Sequence, residues 1–156
     1  MTREIDLNCD GGESFGIYQL GNDEAMMKQV SSISVGCGFH GGDPLTIENT
    51  LTLAADHGVA IGAHPAYPDL VGFGRRSMNL STEEIAASLH YQVAALDGMA
   101  KNHRLTLAYV KPHGALYNDM MSNPEIRLAI MEALGNYHRS LDLMLQATPE
   151  AASHRD

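Results

Sequence analysis

The sequence predicts an α/β fold in which parallel strands alternate with helices, and three observations predict it. Short apolar runs recur at intervals that leave room for a helix between each pair. The segments between them carry helix start and stop signals in the expected order. Finally, four runs end on chemically active side chains followed by small or turn-forming residues: Asp10 in IDLNCDGGES, His40 in SVGCGFHGGD, His64 in VAIGAHPAY and His113 in LAYVKPHGAL. Parallel strands joined by crossovers all end at the same edge of a sheet, which is where such scaffolds gather reactive groups.

The elements follow in order. Ile5–Cys9 reads as the first strand; a Gly-rich turn follows, and a short helix starts near Asn22, a good N-cap residue. Ser32–Gly38 is the second strand. Asp43 caps the next helix, Pro44 occupies its first position and Gly58 closes it, with Ile47, Leu51, Ala54 and Ala55 on its buried face. Val59–Ala63 is the third strand, ending at His64–Pro65, where proline favours an extended histidine. After the long loop AYPDLVGFGRRSMNL, Ser81 and Glu84 form a capping box. The helix they open runs to about Asn102 with Ile85, Leu89, Val93 and Leu96 inward. Thr106–Lys111 is the fourth strand, Asn123–Pro124 opens a helix carrying Ile126, Ile130 and Leu134, and Leu141–Leu145 is the fifth strand. The pattern is β-α-β-α-β-α-β-α-β in one domain spanning residues 1–156, without a second composition zone or a low-complexity linker.

Composition narrows the partners. At net charge −9, with no Lys/Arg run longer than Arg75–Arg76, the chain does not fit a nucleic-acid binder. No apolar stretch approaches the ~18–20 residues of a membrane span, and the start MTREIDLNCD lacks the apolar core of a signal peptide, so a cytoplasmic location is expected. Cys9 and Cys37 match no zinc spacing and read as small buried hydrophobes. No G-x-x-x-x-G-K-[ST] sequence is present, which excludes a P-loop.

The candidate site comprises the strand-end groups. Asp10, His40, His64 and His113 form a good donor set for zinc or manganese. Without a metal, the same groups can supply a general base, a general acid and, through Lys111, an oxyanion stabiliser. Lys111 lies two residues before His113 and so points to the same face. Asp6, Asn8 and Asp10 share one face of the first strand; buried polar groups there require partners or a function. Glu13 and Asp43 are further acids, and Arg75 in Gly72–Arg76 offers a guanidinium for an anion, on a loop that reads either as a lid or as ordinary surface. His57, His90, His103, His138 and His154 fall in helical segments or the tail and read as structural or solvated, and the nine methionines read as core filling.

The blocks IDLNCDGGES, CGFHGGDP, GVAIGAHPAYPD, GFGRR and VKPHGALYN, in this order from residue 5 to about 118, resemble the lactam-utilisation (LamB/YcsF) family, whose members are described as the A subunit of the bacterial 5-oxoprolinase. The resemblance implies a (β/α) barrel of the glycoside hydrolase/deacetylase type. It implies an ATP-dependent hydrolase that opens 5-oxo-L-proline to L-glutamate together with B and C subunits. It carries over Asp10, His40, His64, Lys111 and His113 as catalytic residues, with Asp6, Asn8, Glu13, Asp43 and Arg75 as substrate-binding candidates. In that chemistry Asp10 is expected to act as base, the histidines to orient substrate or hold a metal, and Lys111 to stabilise an oxyanion or phosphate. A full barrel takes about 200–250 residues, so about five strands read as a truncated barrel. Two other functions fit the same residues: a metal-dependent carbohydrate deacetylase or amidohydrolase without ATP, and a non-catalytic binding subunit.

Overall fold

A computed structural model describes residues 4–148. Five parallel strands form one sheet: β1 (Asn8–Gly11), β2 (Ser32–Gly36), β3 (Ala60–His64), β4 (Leu107–Val110) and β5 (Asp142–Leu143). They lie side by side in sequence order, with β1 and β5 as the edges among the described residues. Between them run α1 (Asp23–Met27), α2 (Pro44–His57), α3 (Thr82–Asn102), α4 (Gly114–Ser122) and α5 (Pro124–Gly135). Because strand order equals chain order, crossovers of one hand carry every connection to the same side of the sheet.

The side-chain alternation of a strand then sorts the chain into two faces. Ile33, Val35, Ile61, Ala63 and Val110 join Leu51, Ala54, Leu89, Val93, Leu96 and Ile130 in the apolar core against the helices. Ser32, Ser34, Gly62, His64 and Tyr109 have the opposite parity and line the other face, which is therefore polar. Gln92 shows how α3 is fixed to the strand ends. Fully buried, it accepts from the Ala66 amide and donates to the Ala66 carbonyl, both at 2.9 Å, and so holds the chain just past β3.

The helix boundaries follow their caps. Asn22 accepts from the Ala25 amide, Asp43 from those of Leu45 and Thr46, and the Ser81–Glu84 capping box is complete. Gly58 closes α2 as expected, although Ala55 is exposed and not part of the buried face. Two expectations differ more. The first strand begins at Asn8, not Ile5: its ladder with β2 starts at Asn8–Ser32, leaving Ile5 and Leu7 exposed ahead of it. A separate helix, α4, lies between β4 and α5. Its N-cap position is His113, which makes no capping hydrogen bond, so the usual start signal is missing. The second, third, fourth and fifth strands are shorter than their apolar runs or shifted by a residue. No helix among the described residues is long and apolar enough to cross a membrane.

Candidate functional site

The strand ends deliver what the sequence anticipates, and one residue more. His40, His64 and His113 are buried side by side, and Glu13, from the turn after β1, completes a group in which one donor atom from each lies within 4.8 Å of all the others. His40 and His113 stack face to face, with centroids 3.7 Å apart and planes 4° from parallel, while His64 stands edge-on to both.

Hydrogen bonds fix two of the three imidazoles. His64 Nδ1 lies against the Lys111 carbonyl and His113 Nε2 lies 2.8 Å from the Phe73 carbonyl. A carbonyl can only accept, so each of these nitrogens donates its proton, and in the neutral rings the opposite nitrogens are bare lone pairs. Those two bare nitrogens, His64 Nε2 and His113 Nδ1, face one another at 3.1 Å. Glu13 Oε1 approaches them at 3.9 and 3.3 Å. Three lone-pair donors converging on one point repel unless a proton or cation lies between them. Imidazoles anchored through the far nitrogen to carbonyls are also the usual outer support of metal ligands. The donors therefore fit a divalent cation of the zinc or manganese type.

His40 differs. Its Nε2 sits 2.8 Å from Glu13 Oε1, while its Nδ1 is buried with no partner among the described residues. The arrangement suits an Nε2–H donor that aims the Glu13 carboxylate at the other two imidazoles.

Asp10, a metal candidate by sequence, stands to one side of this group. Lys111 Nζ holds Asp10 Oδ1 at 2.5 Å; Asp10 Oδ2 lies 3.5 Å from His64 Nε2, nearer than Glu13 does, but unlike Glu13 it does not also approach His113. Burial raises the Asp10 carboxyl, but the hydrogen bond and charge of His64 in its doubly protonated form, together with those of Lys111, outweigh it and hold the group well below the usual carboxylate range; beside a neutral His64 only the Lys111 ammonium acts this way. A carboxylate so stabilised is a weak base at neutral pH, and the geometry suits an electrostatic partner for Lys111 better than the base expected from sequence.

The remaining candidates separate clearly. Asn8 lies beside Lys111, its Oδ1 accepting from Nζ at 3.3 Å. Asp6 accepts from the hydroxyls of Ser31 and Ser32 and ties the segment before β1 to β2. Asp43 accepts from the Gly16, Leu45 and Thr46 amides and the Thr46 hydroxyl, which together push its carboxyl down to about 2; it caps α2 and joins the loop after β1 to it. Arg75 lies over the Phe73 ring at 5.7 Å, and Arg76 pairs with Asp69.

The loop bearing these arginines is built into the site. Phe73 packs edge-on against His40 and His113, and the Gly74 carbonyl accepts from the Ala115 amide at 2.9 Å. Sequence reasoning missed Phe73, because its polar contribution is a backbone carbonyl that residue type does not reveal.

The cluster implies an acid-sensitive fold. Burial first, then neighbouring imidazoles, pushes His113 below the ordinary histidine range, and burial does the same to His40. Both groups bind protons less readily in the native state than in the unfolded chain, where histidine titrates near ~6.5. Their contribution to stability is thus complete above that pH and lost as pH falls through the native values, by up to about 1.4 kcal/mol per pH unit for each histidine. Asp10 and Glu13, also lowered, extend the loss to more acid pH. With a chelator present, the Tm measured by calorimetry should fall from pH 7 to pH 5 more steeply than from pH 8 to pH 7. A flat profile between 7 and 5 would contradict buried neutral imidazoles.

Comparisons with known proteins agree with the strand-end blocks. Residues 5–155 match the LamB/YcsF family. The chain is 56% identical over 150 residues to a 5-oxoprolinase A subunit of Pseudomonas putida, covering 96% of this chain and 58% of that protein. It is 52% identical over 149 residues to the 5-oxoprolinase A subunit of Bacillus cereus, covering 96% and 59%. The crystal structure of a lactam utilization protein from Thermus thermophilus superposes with a TM-score of 0.90 at 46% identity, over 92% of this chain and 58% of that one. The chain thus spans somewhat under three fifths of the length of these relatives. With the motifs, the fold and the whole described length in agreement, the chain belongs to the LamB/YcsF family.

Proposed function

We propose that this chain carries the reactive strand-end site of a 5-oxoprolinase A subunit, working with B and C subunits to hydrolyse 5-oxo-L-proline to L-glutamate as ATP is cleaved to ADP and phosphate. The substrate class is taken from the names of the relatives. The observation that carries the chemistry is the convergence of Glu13, His64 and His113 beside the Lys111–Asp10 pair. Extended by further strands, a sheet of this kind closes into a (β/α) barrel with the strand ends at its mouth.

Each residue has a part. The lactam amide is stabilised, and phosphorylation of its oxygen by ATP, with release of ADP, makes C5 electrophilic. One water adds at C5, the ring C–N bond breaks and the nitrogen takes a proton, leaving an acyl phosphate that a second water hydrolyses to the carboxylate and phosphate. Lys111 offers its ammonium to the carboxylate, oxyanion or phosphate oxygens, and Asp10 fixes where that charge stands. Glu13, His64 and His113 would hold a divalent cation, which supplies Lewis acidity and a lowered pKa for water. His40 orients Glu13, and Phe73 with Gly74 covers the imidazoles.

The same convergence gives specific support to a second reading, a metal-dependent amidohydrolase or deacetylase that needs no nucleotide. The test is glutamate release from 5-oxoproline by this chain with candidate B and C proteins, with and without ATP, using Lys111→Met as control. ATP-dependent glutamate formation, lost in the control, is the expected result. Hydrolysis of an amide or acetyl ester substrate without ATP would replace the lactam reading with the second.

A further inference from the structure

The polar face of the sheet holds a closed circuit of hydrogen bonds beneath Lys111. Tyr109, two residues before Lys111 on β4, points to the same face and is almost fully buried. Its ring crosses β3 directly over Gly62, where a Cβ would fall 2.1 Å from Tyr109 Cε2; only glycine leaves that passage open. The hydroxyl thereby reaches β1 and β2, meeting Asn8 Nδ2 at 2.6 Å and Ser34 Oγ at 3.3 Å. Ser34 Oγ in turn donates to Asn8 Oδ1 at 3.1 Å.

The directions close consistently. Asn8 Nδ2 donates to the Tyr109 oxygen, the Tyr109 hydroxyl donates to Ser34, and Ser34 donates back to Asn8 Oδ1. The second Nδ2 proton goes to Ser32 Oγ at 2.8 Å, which itself donates to Asp6. The Asn8 amide can take only one orientation in this circuit, and it turns Oδ1 toward Lys111 Nζ. Reversed, it would present an NH2 group to an ammonium. Burial raises the Tyr109 hydroxyl, which keeps its proton in place to complete the circuit.

We infer that Tyr109, threaded over Gly62, is a positioning residue: with Ser34 it locks the Asn8 carboxamide so that Asn8 and Asp10 together aim the Lys111 ammonium, leaving its third N–H for an anionic oxygen of the substrate. The clause about substrate rests on the proposed function above; the aiming of Lys111 does not.

The chain has three lysines, Lys28, Lys101 and Lys111, so 15N-lysine NMR of the full chain resolves their ammonium groups. Lys28 and Lys101 are more than half exposed and Lys111 about one fifth. The wild type should show one ammonium signal in slow proton exchange, missing in Lys111→Met. Tyr109→Phe, which keeps the ring over Gly62, should shift that signal and speed its exchange roughly fivefold or more, the worth of one ordinary hydrogen bond. Ser34→Ala breaks the same circuit elsewhere and should reproduce the effect; it carries the test if Tyr109→Phe fails to fold. Zinc content should not change in either variant, since neither touches the Glu13–His64–His113 group. An unshifted signal in a folded variant, or no protected signal in the wild type, overturns the inference. In a preparation that turns over 5-oxoproline, Tyr109→Phe should lower kcat with little change in bound metal. A wild type that forms no glutamate counts against the proposed activity alone, because the NMR readout needs no turnover.

Discussion

Glu13→Gln is expected to weaken zinc or manganese binding by more than the roughly 10–100-fold typical of losing an outer partner of a metal site. Glutamine preserves the volume and can still accept from His40 Nε2, so the four-residue group should stay assembled. What it removes is, among the described residues, the one carboxylate whose oxygen lies within 4 Å of both facing lone pairs. Neutral imidazoles alone leave the cation's charge uncompensated in a buried setting, which is where loss of an anionic ligand costs most. Asp10→Asn is the informative companion. Asp10 is more exposed and committed to Lys111, so its loss should reduce affinity far less. Calorimetric titration of the apo-protein decides the matter. If Asp10→Asn costs as much as Glu13→Gln, the ligand set is the one expected from sequence, with Asp10 in it; if neither variant alters binding, no cation belongs there.

Gly42→Ala should produce a large loss of stability for a single added methyl group. Gly42 has φ +81°, and a Cβ there would stand 2.6 Å from the Gly12 carbonyl oxygen and 2.8 Å from that of Gly36. Both obstacles are backbone, so neither can rotate away. The left-handed conformation and the overlap together are worth about 3 kcal/mol, which corresponds to a fall in Tm of roughly 6–12 °C for a domain of this size. The segment that must yield runs through Gly12 to Ser14, whose carbonyl accepts from the Gly42 amide at 2.9 Å. Glu13 sits in that segment, so the variant should also bind zinc more weakly. A Tm within about 2 °C of wild type, the cost of a neutral surface change of about ±0.5 kcal/mol, would show that these loops approach less closely than described.

The sequence made the strand ends legible because they combine two independent signals, an apolar run and a reactive residue before a turn. Of the strand-end groups so marked, the structure brings His40, His64 and His113 into one cluster and leaves Asp10 beside it, paired with Lys111. Glu13 was legible as an acid near the site but not as a member of the cluster. Its position depends on the turn at Gly12, where positive φ folds the chain back over β2, and a glycine in a sequence does not state which way it turns. Asp43 illustrates the opposite case: the cap signal alone accounts for it, and its four hydrogen bonds leave it no part in the cluster. Strand parity, which singled out Lys111, applies equally to Tyr109; a tyrosine on a polar face with serines opposite was a readable signal. The α4 helix escaped notice because His113 opens it without a capping hydrogen bond, its side chain being engaged with Phe73 and His64.

The spacing of the four cluster residues has a thermodynamic consequence. Glu13, His40, His64 and His113 come from four separate segments, and no two of them are nearer than 24 positions in the chain. None of the i, i+3 or i, i+4 pairs that let a flexible peptide chelate an ion is among them. These four residues therefore offer the unfolded polypeptide no local chelate, and what a cation gains from bringing them together accrues to the native state. Each hundredfold excess of free ion over its dissociation constant would add about 2.7 kcal/mol to folding. For this chain, titrating an ion and titrating its stability would be the same experiment.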